Sequence, residues 1–233
     1  MRPTILMTRP DPDGAETARD LARLTGLTVA RSPLLAIRPA ARLPDTGGAG
    51  RLIFTSRNAV RAYRDLGGEP KPAICVGEAT AAEARRIGCR AHAMGGDAEA
   101  MVGAILADPP ADPMIHLRGA HARGDVASRL AAAGLSVTEA VIYSQDLLDL
   151  TSRARALLDG SAPVIVPLYS PRTAARFAAL ANPRAPLYLV SLSAAVNEAA
   201  QRLDTAVRSV ADRPDAEALT RATIAAVQRV EAM

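Results

Sequence analysis

Short apolar runs alternate with alanine-rich amphipathic segments along most of the chain. Each run has the length of a buried strand, and each following segment has apolar residues at helical spacing. The strand-like runs are TILMT, RLIFTS, PAICVG, PMIHLRG, PVIVPLYS and PLYLVSLS. After the first run, Asp13 is predicted to cap a helix that Gly26 ends. Strands that alternate with helices of about 10 to 15 residues indicate parallel sheets flanked by helices, so we predict an α/β fold.

One part of this pattern occurs twice. The segment IFTSRNAVRAY resembles PLYSPRTAARF, which aligns Ser56 with Ser170 at an offset of 114 residues. The same offset carries Val76 onto Val190, and GDAEAMVGAI resembles PDAEALTRAT at an offset of 118 residues. Three matches in one order indicate two copies of one α/β unit. We therefore predict two similar lobes with a ligand cleft between them.

The composition limits the class of protein. The chain has 233 residues, which is enough for two lobes of about 100 residues each. Because 49% of the residues are hydrophobic but only 3% are aromatic, the core must be built from Ala, Leu, Val and Ile. No apolar run approaches the ~20 residues of a membrane span, and the N-terminus does not resemble a secretory signal. We expect a cytoplasmic protein with no membrane partner. Cys75 and Cys89 lack metal-ligand neighbours, which predicts neither a metal site nor a disulfide framework.

The charge suits an anionic ligand. The net charge is +4, and Lys71 is the only lysine among the many arginines. Genomic base composition explains such a bias. So does selection for a ligand, because Arg binds carboxylates and phosphates through two parallel hydrogen bonds. Nucleic acid fits less well than a small anion, because the cations are scattered among Asp and Glu and no basic run contains aromatic residues.

Hydroxyl side chains stand where predicted strands pass into helices. Thr55 and Ser56 follow the run LIF, and Ser170 and Ser193 have similar positions in the second copy. Free backbone N–H groups and the helix dipole favour anions at such places. These hydroxyls either cap their helices or contact a ligand, and two sets of them favour binding. Neither a glycine-rich phosphate loop nor an acid pair accompanies them.

Six motifs together resemble a known family. They are LMTRP, IFTSRNAV, VGEATA, HLRGAHARGDVASRLAAAGLSVTEAVIYSQ, YSPRTAARF and LVSLSAAV. Their order and spacing, from residue 4 to residue 219, resemble the uroporphyrinogen-III synthase family. The resemblance implies a first lobe of residues 1–36 and 148–233, a second lobe of residues 40–145, and extended linkers at 37–39 and 146–147.

The resemblance also implies a reaction. This family cyclises hydroxymethylbilane, a carboxylate-rich linear tetrapyrrole, to uroporphyrinogen III, with inversion of ring D and loss of water. Without the enzyme the bilane closes to the type I isomer, so the protein must hold one conformer of a reactive substrate. The resemblance further implies no cofactor, no metal, a monomer, and a substrate delivered by hydroxymethylbilane synthase.

Tyr143 is the residue that the resemblance marks for chemistry. It matches a tyrosine near the family's cleft, where a phenol would assist departure of the substrate hydroxyl group. The alternative is an aromatic side chain that only packs against its neighbours. His116 lies in an apolar run and is expected to be a buried histidine with satisfied hydrogen bonds. Neither His92 nor His121 has a partner at ligand or triad spacing.

Other residues match the family's substrate-binding turns. They are Arg9, Thr55, Ser56, Arg57, Gly77, Thr80, Arg118, Gly119, Ser170 and Ser193. Arg123 belongs to the same motif as Arg118. The turn at 191–193 reads Ser-Leu-Ser, where the family more usually has Gly-Pro-Thr.

Two other functions remain open at this level. A transferase with a nucleotide-like cofactor requires a glycine-rich turn after the first strand, and MTRPDPDG matches such a turn poorly. A two-lobed receptor for an anionic ligand without turnover fits the fold equally well, because function depends on the site and not on the fold.

Overall fold

The computed structural model describes residues 2–121 and 124–232. The first elements are β1 (Thr4–Met7), α1 (Asp13–Thr25), β2 (Val29–Arg31), β3 (Leu35–Pro39), β4 (Arg51–Phe54), α2 (Arg57–Asp65), β5 (Ala73–Cys75), α3 (Glu78–Arg86), β6 (Ala91–Ala93) and α4 (Ala98–Ala107). They are followed by β7 (Met114–Gly119), α5 (Val126–Ala132), β8 (Val137–Leu147), α6 (Ser152–Leu158), β9 (Val164–Leu168), α7 (Pro171–Leu180), β10 (Leu187–Ser191), α8 (Ala194–Ala199), β11 (Val207–Val210) and α9 (Ala216–Glu231). Among the helices of these described ranges, none is both long and apolar enough to cross a membrane.

The chain divides into two compact units. Unit 1 consists of Met1–Ala36 and Asp146–Met233, and unit 2 consists of Ile37–Gln145. Unit 1 contains a five-stranded sheet in the order β11-β10-β9-β1-β2, and the sheet of unit 2 has the order β3-β8-β7-β4-β5-β6. Strands β11 to β2 pair in parallel, as do strands β8 to β6. The predicted α/β class is confirmed.

The two units repeat one arrangement. In unit 2, β4, β5 and β6 run towards one edge while β7 and β8 lie on the other side of β4; β9, β10, β11, β1 and β2 have the same order in unit 1. The N-caps repeat as well, because Asp97 accepts a hydrogen bond from the backbone N–H of Ala100 and Asp215 accepts one from Ala218, both at 2.8 Å. The two similar lobes predicted from the sequence therefore share their strand order and their helix caps.

One alignment within the repeat needs correction. Phe54 is level with Cys75 in unit 2, whereas Leu168 is level with Ser191 in unit 1. The first residues of these pairs differ by 114 positions and the second by 116, so Val76 does not correspond to Val190. The sequence alignment slipped by two residues because alanine-rich helices match one another in several registers. On the corrected alignment Gly77 corresponds to Ser193.

Both faces of each sheet are covered by helices. In unit 1, α6, α7 and α8 pack on one face, and α1 and α9 pack on the other. In unit 2, α2 and α3 cover one face, and α4 and α5 cover the other. Two aromatic side chains of the repeat, Tyr63 and Phe177, are fully buried at corresponding places. Most of the remaining core is aliphatic, as the composition requires.

The start of α1 differs from expectation. Asp13 is the first residue of α1 and not its cap, and its carboxylate pairs with Arg9. Gly26 does end the helix, at φ 65°.

The chain crosses between the two units in paired strands. Residues 37–39 and 146–147, expected as extended linkers, belong to β3 and β8, which are hydrogen-bonded neighbours. The two strands run antiparallel, because the N–H of Leu148 donates to Leu34 and the N–H of Ala40 donates to Ile142. Pairing satisfies backbone groups that a free linker leaves to water.

Candidate functional site

Each sheet has a point at which the strand order reverses. In parallel α/β sheets, ligands bind at the carboxyl ends of the strands that flank such a switch point. The reversal lies between β4 and β7 in unit 2, and between β9 and β1 in unit 1. We call the strand ends of unit 2 the β4/β7 edge, formed by residues 55–57, 116–119 and 143. Those of unit 1 form the β1/β9 edge, with residues 8–9 and 169–170.

Thr55 and Ser56 form the turn between β4 and α2. Ser56 is the N-cap in extended conformation, and its Oγ accepts a hydrogen bond from the backbone N–H of Asn58 at 3.1 Å. Arg57 is the first residue of the helix and is half-buried. The N-terminus of this nine-residue helix therefore lies at the β4/β7 edge, where the helix dipole favours an anion.

His116 of β7 contacts Thr55 through its imidazole ring. Its Nε2 is 3.2 Å from Thr55 Oγ1, and its Nδ1 has no hydrogen-bond partner within the described ranges. The side chain is 1% exposed. Burial lowers the pKa of His116 from 6.5 to about 4, while Glu139 raises this pKa and Arg118 lowers it further. The expected satisfied histidine is therefore only half satisfied, and it is neutral at neutral pH.

This pKa predicts a pH-dependent stability. In the unfolded chain His116 becomes protonated below about pH 6.5, whereas in the folded chain it becomes protonated only near pH 4. Stability must therefore fall as the pH is lowered through this window, by roughly 3 kcal/mol from this group alone. His116→Met removes the loss. Urea unfolding measures the free energy of unfolding of both proteins. Between about pH 7 and about pH 4, the stability of the variant relative to the wild type should increase by roughly 3 kcal/mol. An equal difference at both pH values would show that His116 is not held neutral by burial.

Arg118 forms a bidentate ion pair with Glu139 of the neighbouring strand β8. Its Nη2 donates to Glu139 Oε1 at 2.6 Å and its Nε donates to Oε2 at 2.9 Å. The hydrogen bond raises the pKa of Arg118 and lowers that of Glu139. The Arg118 side chain is 22% exposed, so it keeps contact with solvent at the β4/β7 edge.

Tyr143 packs on Gly119. The two residues are level across β7 and β8, just after a bulge that follows Arg118. A Cβ at position 119 would lie 2.5 Å from Tyr143 Cζ and 2.8 Å from its hydroxyl oxygen, so only glycine leaves room for the ring. Tyr143 is 5% exposed. Burial raises its pKa and a hydrogen bond with the Ser56 side chain lowers it. The phenol thus keeps its proton and touches the Thr55-Ser56 turn.

The β1/β9 edge of unit 1 carries an equivalent arginine. Arg118 follows Leu117, which is level with Phe54 on β4. The counterpart of Phe54 in unit 1 is Leu168. If the pairing of β1 with β9 is continued, Arg9 stands one residue beyond the position level with Leu168, just as Arg118 stands one residue beyond the position level with Phe54. Arg9 pairs with Asp13 at 3.0 Å and stacks on Tyr169, with its guanidinium carbon 4.5 Å from the ring centroid. Both edges therefore hold an arginine engaged by a carboxylate.

Ser170 at the β1/β9 edge repeats the role of Ser56. It is the N-cap of α7, and its Oγ accepts from the backbone N–H of Thr173 at 3.2 Å. Ser193 is the N-cap of α8 but makes no capping bond through its side chain. Their hydroxyls stand at the carboxyl ends of two neighbouring strands, β9 and β10.

Gly77 and Thr80 belong to the turn after β5 in unit 2. Gly77 is the N-cap of α3 in extended conformation, and its carbonyl accepts from the N–H of Thr80 at 3.1 Å. A Cβ at Gly77 would only touch Gly96, at 3.5 Å, so the chain itself does not require glycine here. Thr80 is buried. Arg123 lies outside the described residues.

The structure thus gathers part of the predicted set and adds two residues. Thr55, Ser56, Arg57, Arg118, Gly119 and Tyr143 lie at the β4/β7 edge. Gly77 and Thr80 lie one strand away, and Arg9, Ser170 and Ser193 lie in unit 1. Sequence reasoning missed His116 and Glu139. The alternation in MIHLRG puts His116 and Arg118 on one face of β7, whereas Glu139 emerges only from the register of β8.

These features define a class of protein: a two-unit α/β protein with hydroxyl and arginine side chains at the switch point of each parallel sheet. The protein-family model described as uroporphyrinogen-III synthase HemD matches residues 16–221. The chain belongs to the uroporphyrinogen-III synthase family, whose members are cyclising hydro-lyases that act on a small-molecule tetrapyrrole. The family predicted from the sequence motifs is confirmed.

Two solved structures resemble the whole chain. The crystal structure of uroporphyrinogen-III synthetase from Helicobacter pylori aligns with a TM-score of 0.69 at 19% identity, over 97% of this chain and 100% of that chain. The structure of a mutant uroporphyrinogen III synthase from the extremely thermophilic bacterium Thermus thermophilus aligns with a TM-score of 0.53 at 14% identity, over 100% of this chain and 99% of that chain. At such identities the likeness shows the fold alone. No curated protein matches the sequence.

Proposed function

We propose that this chain cyclises hydroxymethylbilane to uroporphyrinogen III, and that the β4/β7 edge holds carboxylates of the substrate. The observation that carries the proposal is the Thr55-Ser56 turn at the N-terminus of α2, with Arg118 on the adjacent strand. Two hydroxyls and a helix N-terminus lie here, with an arginine on the adjacent strand, and no activated nucleophile accompanies them in the part of the chain that the structure describes. Such a set binds and positions an anion.

The binding strength follows from the donors. A hydrogen bond to a charged group contributes about 1.5–3 kcal/mol, so a few of them fix a carboxylate-rich chain in one conformer. Arg118 can bind a substrate carboxylate either in place of Glu139 or together with it, since its guanidinium has five donors and the ion pair uses only part of them. The proposed site also includes Arg57 and Gly119 at the β4/β7 edge, and Gly77 and Thr80 in the turn one strand away, after β5. Within unit 1, Arg9 and Ser170 at the β1/β9 edge and Ser193 after β10 form a second candidate set of carboxylate ligands.

Tyr143 is the proposed proton donor. Its raised pKa keeps the phenol protonated at neutral pH, and its hydrogen bond reaches the half-buried Ser56. The proton can pass to the departing hydroxyl group through the Ser56 hydroxyl, and water then leaves. The reaction as proposed uses no cofactor and no metal, because the bilane is already reactive and the protein selects its conformer.

The proposal extends to the oligomeric state, the cellular location and the delivery of the substrate. The predicted monomer, its two lobes and a cytoplasmic location suit a biosynthetic enzyme with a small-molecule substrate. Direct delivery of the unstable bilane by hydroxymethylbilane synthase would limit spontaneous closure.

The test is the isomer composition of the product. Purified protein is given freshly generated hydroxymethylbilane, the products are oxidised, and uroporphyrins I and III are separated; a reaction without protein gives the spontaneous rate. We expect predominantly type III without added cofactor. Type I alone at the spontaneous rate would leave a binding protein for an anionic ligand.

A further inference from the structure

We propose that His116 is a positioning residue for this reaction, which donates a hydrogen bond to Thr55 and so directs the Thr55 hydroxyl proton to a substrate carboxylate. This inference rests on the proposed function and deepens it. It starts from the contact of 3.2 Å between His116 Nε2 and Thr55 Oγ1.

The burial of His116 decides which nitrogen carries the proton. Nδ1 is buried and has no partner in the described part of the chain. A buried N–H without an acceptor is rarer and costlier than a buried lone pair without a donor. The proton of the neutral ring therefore sits on Nε2 and is donated to Thr55. Burial also lowers the pKa of His116 to about 4, which keeps the ring neutral.

The tautomer determines what Thr55 can do. Its Oγ1 accepts from His116, so its own O–H proton must be donated elsewhere. Thr55 is half-buried and stands immediately before the N-cap of α2. A donor at the N-terminus of a helix points to an anionic acceptor, which on the proposed function is a carboxylate of the bilane. His116 itself never contacts the substrate.

Unit 1 shows that packing does not require a histidine here. His116 is level with Ile53, and continuing the pairing of β1 with β9 puts Met7 at the equivalent place in unit 1. Met7 is fully buried. An apolar side chain of similar volume therefore fills this position in the same architecture. The histidine leaves a nitrogen unsatisfied and lowers stability, which favours a role beyond packing.

The experiment compares four variants in steady-state kinetics of type III formation. His116→Met removes the donor, and His116→Gln retains an N–H that reaches Thr55. Thr55→Val and the double variant His116→Met/Thr55→Val complete a cycle, with His92→Met on the exposed strand β6 as control. We expect His116→Met to raise KM about tenfold with kcat less affected, and His116→Gln to stay within about threefold of the wild type. The double variant should be no worse than Thr55→Val alone.

Three results would overturn the inference: unchanged kinetics in His116→Met, no rescue by glutamine, or a double variant whose KM rises by the product of the two single effects. A wild type that makes only type I uroporphyrin would overturn the proposed function instead. The same variants would then be compared by equilibrium binding of uroporphyrin III. An equal Kd for wild type and His116→Met would reject the role of His116, and a rise of about tenfold reversed by glutamine would sustain it.

Discussion

Replacing Gly119 by alanine is expected to cost about 1–3 kcal/mol of stability and to lower kcat/KM about 100-fold. The new Cβ would meet the Tyr143 ring at 2.5 Å, and the backbones of both residues are held by the pairing of β7 with β8. Relief requires the ring to swing out, which breaks its contact with Ser56 and disturbs the Thr55-Ser56 turn. Urea unfolding measures the first effect, and the isomer assay measures the second.

Two other variants isolate the cause. Tyr143→Phe keeps the ring on Gly119 and removes only the hydroxyl, so we expect near-normal stability and a reduced but measurable rate. Gly103→Ala introduces a methyl group in α4 where nothing lies within 4 Å, which should stabilise the helix by about 0.5–1 kcal/mol. If Gly119→Ala is as stable and active as Gly103→Ala, the packing of Tyr143 on position 119 is not a constraint.

Arg118→Glu is expected to raise KM at least about tenfold, because the β4/β7 edge would lose the Arg118 guanidinium and gain a carboxylate beside Glu139. The loss of stability should be smaller, roughly 1 kcal/mol, since the ion pair is partly exposed and screened by solvent. Initial rates at varied bilane concentration measure KM.

A charge swap separates binding from stability. The double variant Arg118→Glu/Glu139→Arg restores an ion pair between β7 and β8 but moves the cation to the other strand. We expect stability to recover while KM stays raised, because the cation no longer comes from β7, the strand that neighbours β4 and its Thr55-Ser56 turn. Full recovery of KM would assign Arg118 a structural role only, and an unchanged KM in Arg118→Glu would do the same.

Several features of the candidate site follow from local sequence. Thr55, Ser56 and Ser170 were predicted at strand-to-helix turns because a strand that ends in a hydroxyl before a helical pattern is a local signal. The N-cap geometry of Ser56 and Ser170 has this local origin. In contrast, the partners of His116, Arg118 and Tyr143 lie 21 to 87 positions away in sequence. No local pattern encodes such contacts.

The internal repeat shows the same limit. Two copies of one unit were visible in the sequence, but the alignment at Val76 slipped by two residues, and the equivalence of Arg9 with Arg118 was missed. Arg9 follows strand β1, which precedes the repeated segment in unit 1. Arg118 lies in strand β7, which follows the repeated strands in unit 2. A comparison along the chain cannot align segments whose order differs.

By itself the sequence determined the α/β class, the alternating strands and helices, the aliphatic core and the family. These depend on hydrophobic periodicity, turn residues and motif order, which act over a few residues at a time. Only the tertiary structure decided that His116 contacts Thr55, that Glu139 pairs with Arg118, and that Gly119 makes room for Tyr143. The register between neighbouring strands sets these contacts, and a shift of one residue would turn each side chain to the opposite face of the sheet.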